Sequence, residues 1–111
     1  MIEDRDGLDA LDAIAAVPGL TGILLGPADL ALSLWGDPAL ASDDRTLAVG
    51  ARIAAACHAH GLVPAVFAGG AEHVGRWRSA GFVMVGVDSD STLLLRAART
   101  AVRTARTAPG T

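Results

Sequence analysis

The chain has 111 residues, a formal net charge of -3 and a mean hydropathy of +0.42, with 51% hydrophobic and 19% charged residues. That length suggests one compact domain or a piece of a larger one, and the apolar content is enough for a buried core, which excludes a disordered tail. The longest apolar runs, Gly19 to Leu25 and Leu62 to Ala68, fall far below the roughly 18 residues of a membrane span, and the negative balance offers nucleic acid no attractive field. No basic segment followed by an apolar core comes after Met1, and the single Cys57 cannot form an internal disulfide, so a reducing, cytoplasmic location is expected.

Leu8, Leu11, Ile14 and Ala15 recur at helical spacing and predict a helix from Asp6 to Val17, ended by Pro18-Gly19. Gly22 to Leu25 is short and wholly apolar, as in a strand buried on both faces of a parallel sheet. Gly26-Pro27-Ala28-Asp29 breaks it, a turn or short helix covers Leu30 to Trp35, and Gly36-Asp37-Pro38 is a loop. Ser42-Asp43-Asp44 caps a helix from about Arg45 to His60, with Gly61 at its end. Val63 to Phe67 is the second strand. Gly69-Gly70 turns into a helix from Ala71 to Ala80, closed by Gly81, and Phe82 to Val87 is the third strand. Ser89 to Ser91 caps a last helix from Thr92 to about Thr107, and Pro109-Gly110-Thr111 is a frayed end. This order predicts an α/β fold of about three parallel strands alternating with four helices, joined by right-handed crossovers. It is either under half of an eight-unit (β/α) barrel or a small open sheet.

In parallel α/β folds the active site lies at the C-terminal ends of the strands. Gly26 to Asp29, Phe67 to Gly70 and Asp88 to Asp90 occupy those places, and Ile2-Glu3-Asp4 joins them if Met1-Ile2 is the stub of a strand. Carboxylates at the ends of neighbouring strands, here Glu3 and Asp29, can share one hard divalent cation such as Mg²⁺ or Mn²⁺. Two plainer readings stand beside this. Glu3 suits the positive end of the first helix, and Asp29 suits an N-cap or an ordinary turn.

Other residues fit structural roles. Cys57-His58-Ala59-His60 lies within one helix, where His residues two apart point to different faces. His73 reads as a surface residue, and Trp77 with Val74 as core or interface. Gly69-Gly70 lacks the further glycines and lysine of a phosphate loop and reads as a turn. Arg96, Arg99, Arg103 and Arg106 make one face of the last helix basic, either solvated or against a neighbouring subunit. Leu93, Leu94, Ala97, Ala98, Ala101 and Ala105 make the other side apolar and small.

Ile2-Glu3, the stretch Leu11-Asp12-Ala13-Ile14-Ala15-Ala16-Val17-Pro18-Gly19-Leu20, and Gly26-Pro27-Ala28-Asp29-Leu30 with Ser33-Leu34 resemble the signature region of the HpcH/HpaI aldolase/citrate lyase family. Gly81-Phe82 into Val85, Ser89-Asp90 and Leu93-Leu94 ahead of Arg96-Ala97-Ala98 resemble that family's last strand and helix. The resemblance implies that residues 1–111 form the C-terminal half of a (β/α)8 TIM barrel of a class II aldolase. It implies Glu3 and Asp29 as ligands of Mg²⁺ or Mn²⁺, and the amides around Ala28 and Asp29 as the seat of the carboxylate of a pyruvate-like 2-oxo acid. The metal would bind the 2-oxo group and stabilise the enolate formed on carbon–carbon cleavage. Val66 and Phe67 would wall off the aldehyde. The chain departs from the family pattern at Met1, where a Gln is typical, at Trp35, and at Asp88, where a Gly is common.

The family's catalytic His and its substrate Arg belong to the barrel's first half and match nothing here, so no general base is assigned. A longer reading frame upstream of Met1, or a truncated gene, is expected. The expected partners are small molecules, with no nucleic acid and no membrane. The protein partner is either another copy of the chain, since last helices often meet at oligomer contacts in this family, or an N-terminal barrel half. The alternative function is a non-catalytic half-barrel that acts only by assembly.

Overall fold

A computed structural model describes residues 1–109; Gly110 and Thr111, which end the segment expected to fray, lie outside the described residues. The chain forms α1 (Arg5–Asp9), α2 (Leu11–Ala15), β1 (Gly22–Leu25), α3 (Pro27–Trp35), α4 (Asp44–Ala59), β2 (Val63–Phe67), α5 (Val74–Ser79), β3 (Met84–Gly86) and α6 (Asp90–Thr107). Short 3-10 turns at Pro38–Ser42 and Ala71–His73 precede α4 and α5.

The expected α/β alternation is present, with six α-helices among the described residues rather than four. The first predicted helix is broken at Ala10 (φ -90°, ψ 9°) into α1 and α2. Leu8, Leu11 and Ala15 still face the core across the break, which is why the apolar period alone could not reveal it. The short helix after β1 begins at Pro27 rather than Leu30, because proline suits the first helical position. The predicted helix from Ala71 splits into a 3-10 turn and α5, while α6 starts two residues early behind the Ser89 cap.

The three strands are parallel in the order β1-β2-β3. The N-terminus adds a fourth position. Ile2 bridges Leu25 in parallel, its N–H donating to Leu24 O at 2.8 Å and its carbonyl accepting from Gly26 N–H at 3.0 Å. Met1-Ile2 is thus a strand stub on the β1 edge.

Alternation sorts the sheet's two faces. Ile23, Leu25, Pro64 and Val66 are buried on the helical side, where α4 brings Ile53, Ala54 and Cys57 against β1 and β2. Trp77 of α5 is fully buried and meets Phe82 edge-on, with ring centroids 5.5 Å apart at 89°. On the opposite face the register aligns Leu24, Ala65 and Met84 in one row. Leu24 and Met84 of that row are 39% and 65% exposed while Ala65 between them is buried, so this face is only partly covered by the described residues.

Hydrogen bonds hold the connections in place. The Arg5 N–H donates to Ser33 Oγ at 3.0 Å, joining α1 to α3, and buried Thr46 Oγ1 donates to Leu40 O at 2.6 Å, joining α4 to the turn before it. By contrast α6 has no buried residue and projects from the body. The radius of gyration is 17.3 Å and the long axis 66 Å, against about 13 Å expected for the radius of a compact domain near this length. No described helix is long and apolar enough to cross a membrane.

Candidate metal and substrate site

Glu3 and Asp29 lie at the same end of the sheet. Glu3 directly follows the paired Ile2, and Asp29 is in the first turn of α3, which leaves the C-terminal end of β1. Gly26 is where the two segments touch. A Cβ on Gly26 would lie 3.1 Å from Glu3 Cβ and 3.3 Å from Glu3 Oε2, tighter than ordinary contact, so the bare backbone is what lets the Glu3 side chain lie there.

The plainer roles for both acids belong to other residues. Asp4 caps α1, its Oδ1 accepting from Gly7 N–H at 2.7 Å, and Asp6 is the acid of that first turn. Gly26, not Asp29, is the N-cap of α3, and no side chain caps that helix. Glu3 and Asp29 are exposed and have no ion-pair partner among the described residues. Their oxygens are therefore free to accept a cation, and Asp29 is favoured by the positive helix end. Two carboxylates fit a hard divalent ion that keeps its other positions for water and substrate oxygens. No cluster of three or more His, Cys, Asp or Glu side chains suited to a metal occurs among the described residues, so a closed all-protein site of the zinc kind is not formed.

The start of α3 also offers donors. Pro27 has no N–H, and Leu30 N–H is already bonded to Gly26 O at 2.9 Å. That leaves the Ala28 and Asp29 amides without intrahelical partners, the arrangement that favours a carboxylate or phosphate oxygen. They line a depression of about 370 Å³ together with Gly26, Pro27, Ala41 and Phe67. Phe67 is 42% exposed. Val66 points the other way, into the core at 1% exposure, and is not part of the lining.

Sequence reasoning missed several contributors. Ala41, from the turn before α4, reaches the depression from a segment with no chemical signature. Ser33 ties α3 to the start of α1, although its neighbours gave no sign of a long-range bond. The Asp88 side chain is only 4% exposed and lies 3.3 Å from Arg96 Nη2, an ion pair without a well-aligned hydrogen bond to Oδ2. None of the three histidines lines the depression: His58 Nε2 is 2.9 Å from Gly81 O, His73 is 3.8 Å from Glu72, and His60 is exposed at the end of α4.

The model of one family, HpcH/HpaI aldolase/citrate lyase, matches residues 1–97. The chain belongs to the HpcH/HpaI aldolase/citrate lyase family. A hydroxypyruvate/pyruvate aldolase of Paraburkholderia phytofirmans is 36% identical over 95% of this chain and 40% of its own length. One of Deinococcus radiodurans is 40% identical over 89% of the chain and 35% of its length. The crystal structure of a family member from Burkholderia cenocepacia superposes with a TM-score of 0.83 at 35% identity, covering 96% of this chain and 41% of that one. The chain thus spans about 40% of the length of the curated relatives it matches, and its fold is part of the HpcH/HpaI TIM barrel.

Proposed function

We propose that this chain carries the metal- and carboxylate-binding part of an aldolase site acting on pyruvate-type 2-oxo acids, forming or cleaving a carbon–carbon bond to an aldehyde. One observation carries the reading: Glu3 lies against bare Gly26 at the free N-terminus of the helix that bears Asp29. In this reading Glu3 and Asp29 hold Mg²⁺ or Mn²⁺, which when bound would polarise the 2-oxo group. The Ala28 and Asp29 amides hold the substrate carboxylate and fix its orientation. Phe67 and Ala41 keep water from the aldehyde end. Val66, placed in the core, supports the Phe67 strand from behind. A cytoplasmic location and small-molecule partners belong to the same reading.

No side chain here is assigned as general base. The isolated 111-residue protein is expected to show no measurable retro-aldol activity; pyruvate release at rates typical of enzymes, dependent on Mg²⁺ or Mn²⁺, would contradict this. The metal reading is tested by Mn²⁺ titration followed by electron paramagnetic resonance. Glu3→Gln and Asp29→Asn are each expected to weaken binding by at least about tenfold, with circular dichroism unchanged. Wild-type affinity in both variants would remove the proposal.

The alternative, a half-barrel that acts only by assembly, is favoured by one feature: the exposure of Leu24 and Met84. It predicts that both variants leave the chain's biological role unchanged.

A further inference from the structure

Ala41 reaches the depression on the 3-10 turn Pro38–Ser42, and no residue of that turn is buried. A segment with little apolar burial opens at low free-energy cost unless other bonds hold it. Within the turn, Leu40 N–H donates to Asp37 O at 3.3 Å, Asp43 N–H donates to Leu40 O at 3.0 Å, and Ala39 N–H donates to Asp37 Oδ1 at 2.9 Å. These bonds all lie between residues 37 and 43. They shape the turn without tying it to the helices beside it.

Two side chains from outside supply that tie. Thr46, in the first turn of α4, is fully buried, and its Oγ1 donates to Leu40 O at 2.6 Å. Arg76, from α5, donates through Nη1 to Ser42 O at 2.6 Å and through Nη2 to Asp44 Oδ1. Leu40 and Ser42 are the chain neighbours of Ala41 on either side. The two carbonyls that flank Ala41 are therefore each held by a side chain from a different helix. Without the Thr46 hydroxyl, Leu40 O would keep only the Asp43 N–H, in a place where the lost partner is buried. The Arg76 side chain is 47% exposed, so water weakens its ion pair, but its planar fork holds two acceptors at a set spacing, which a lysine cannot reproduce.

We propose that Thr46 and Arg76 are positioning residues for the substrate site: they hold Ala41 at a fixed depth in the wall it shares with Ala28, Asp29 and Phe67, so that the site selects pyruvate over larger 2-oxo acids. Loss of either bond lets the turn move outward, which widens the depression and loosens the fit around the smallest substrate. One extra methylene in a close-fitting apolar pocket changes binding by roughly 10–200-fold, so a small displacement of Ala41 is enough to matter. The inference rests on the reading of the site as one for 2-oxo acids. The bonds made by Thr46 and Arg76 go to Leu40, Ser42 and Asp44 and not to Glu3 or Asp29, so metal binding reports on that reading separately.

The test uses the full chain loaded with Mn²⁺, with pyruvate and 2-oxobutyrate as probes followed by water proton relaxation, and circular dichroism to check folding. Hydrogen exchange over residues 37–43, read by mass spectrometry, reports on the turn itself. Thr46→Val keeps the side chain's shape without the hydroxyl. It is expected to weaken pyruvate binding about tenfold, to bring the pyruvate and 2-oxobutyrate dissociation constants closer together, and to leave Mn²⁺ binding unchanged. Exchange in the turn should quicken about tenfold as well. Thr46→Ser, which keeps the hydroxyl, should restore the wild-type values. Arg76→Gln, at a half-exposed position that the fold tolerates, should act in the same direction, and Arg76→Lys should rescue it only in part. Unchanged selectivity in Thr46→Val and Arg76→Gln, with Mn²⁺ binding intact, overturns the proposal and leaves the metal reading standing. So does an equal loss for both 2-oxo acids, unaltered exchange in the turn, or a Thr46→Ser variant that behaves like Thr46→Val. A wild-type chain that binds no 2-oxo acid overturns the selection together with the reading of the site, an outcome visible before any variant is made.

Discussion

Replacing Gly50 by Ala probes how closely α4 lies on the sheet that carries the site. Gly50 is buried within α4, and a Cβ there would lie 2.7 Å from Trp77 Cζ3 and 3.3 Å from both Leu25 Cδ2 and Phe82 Cε2. Carbon atoms rest about 3.5–4.0 Å apart, so the first contact is too short by most of an ångström. None of the three neighbours has room to retreat, since Trp77 and Leu25 are 0% and Phe82 2% exposed. Overpacking of this kind costs about 1–3 kcal/mol, and the short contact puts it in the upper part of that range. Against it stands the gain of about 1 kcal/mol when Ala replaces Gly inside a helix. The net expectation is a loss of about 1–2 kcal/mol. Gly75→Ala in α5 is the control, because a Cβ there meets nothing within 4 Å, and it should be neutral or stabilising by up to about 1 kcal/mol. Urea unfolding followed by circular dichroism gives both values, with a lower midpoint and an unchanged slope expected for Gly50→Ala. If Gly50→Ala were as stable as Gly75→Ala, the tight seat of α4 on Trp77 would be wrong.

At the site, Gly26→Ala should push the Glu3 side chain aside and weaken Mn²⁺ binding while the helical content stays constant; unchanged affinity would show that Glu3 does not depend on the bare backbone there. Cys57 has no exposed surface and burial pushes its thiol upward, so it should resist a disulfide reagent in the folded chain and react at the rate of unfolding. Reaction within seconds under native conditions would refute that burial. Asp43 caps α4, and the hydrogen bond from the Arg45 side chain, followed by that from the Arg45 backbone, holds its carboxyl below the ordinary value of 3.8. The folded value is lowered, so its contribution is complete above the ordinary carboxylate value and fades as the pH falls through the lowered one. Urea midpoints between pH 5 and pH 2 should therefore drop more steeply for the wild type than for Asp43→Asn; equal slopes would exclude the effect.

Much of this protein was legible in its residue order, because local periodicity and turn chemistry act over a few neighbours. The apolar runs at Gly22, Val63 and Phe82, each followed by a Gly-, Pro- or Asp-bearing turn, determined three parallel strands and placed Asp29 just beyond the C-terminal end of the first, with Glu3 after the Met1-Ile2 stub. The Gly-Pro-Ala-Asp-Leu signature carried the family. What required the tertiary structure was whatever depends on contacts distant in sequence or on the choice between two local forms. The break at Ala10 leaves the apolar spacing intact, so no pattern marks it. The opposite orientations of Val66 and Phe67 follow from which face α4 covers, and a five-residue apolar strand reads the same either way. The contact between Glu3 and Gly26 joins residues 23 positions apart and exists only because the Ile2 stub pairs with β1. The exposure of α6 along its whole length, despite its amphipathic pattern, is visible only in the structure, where the helix buries no residue.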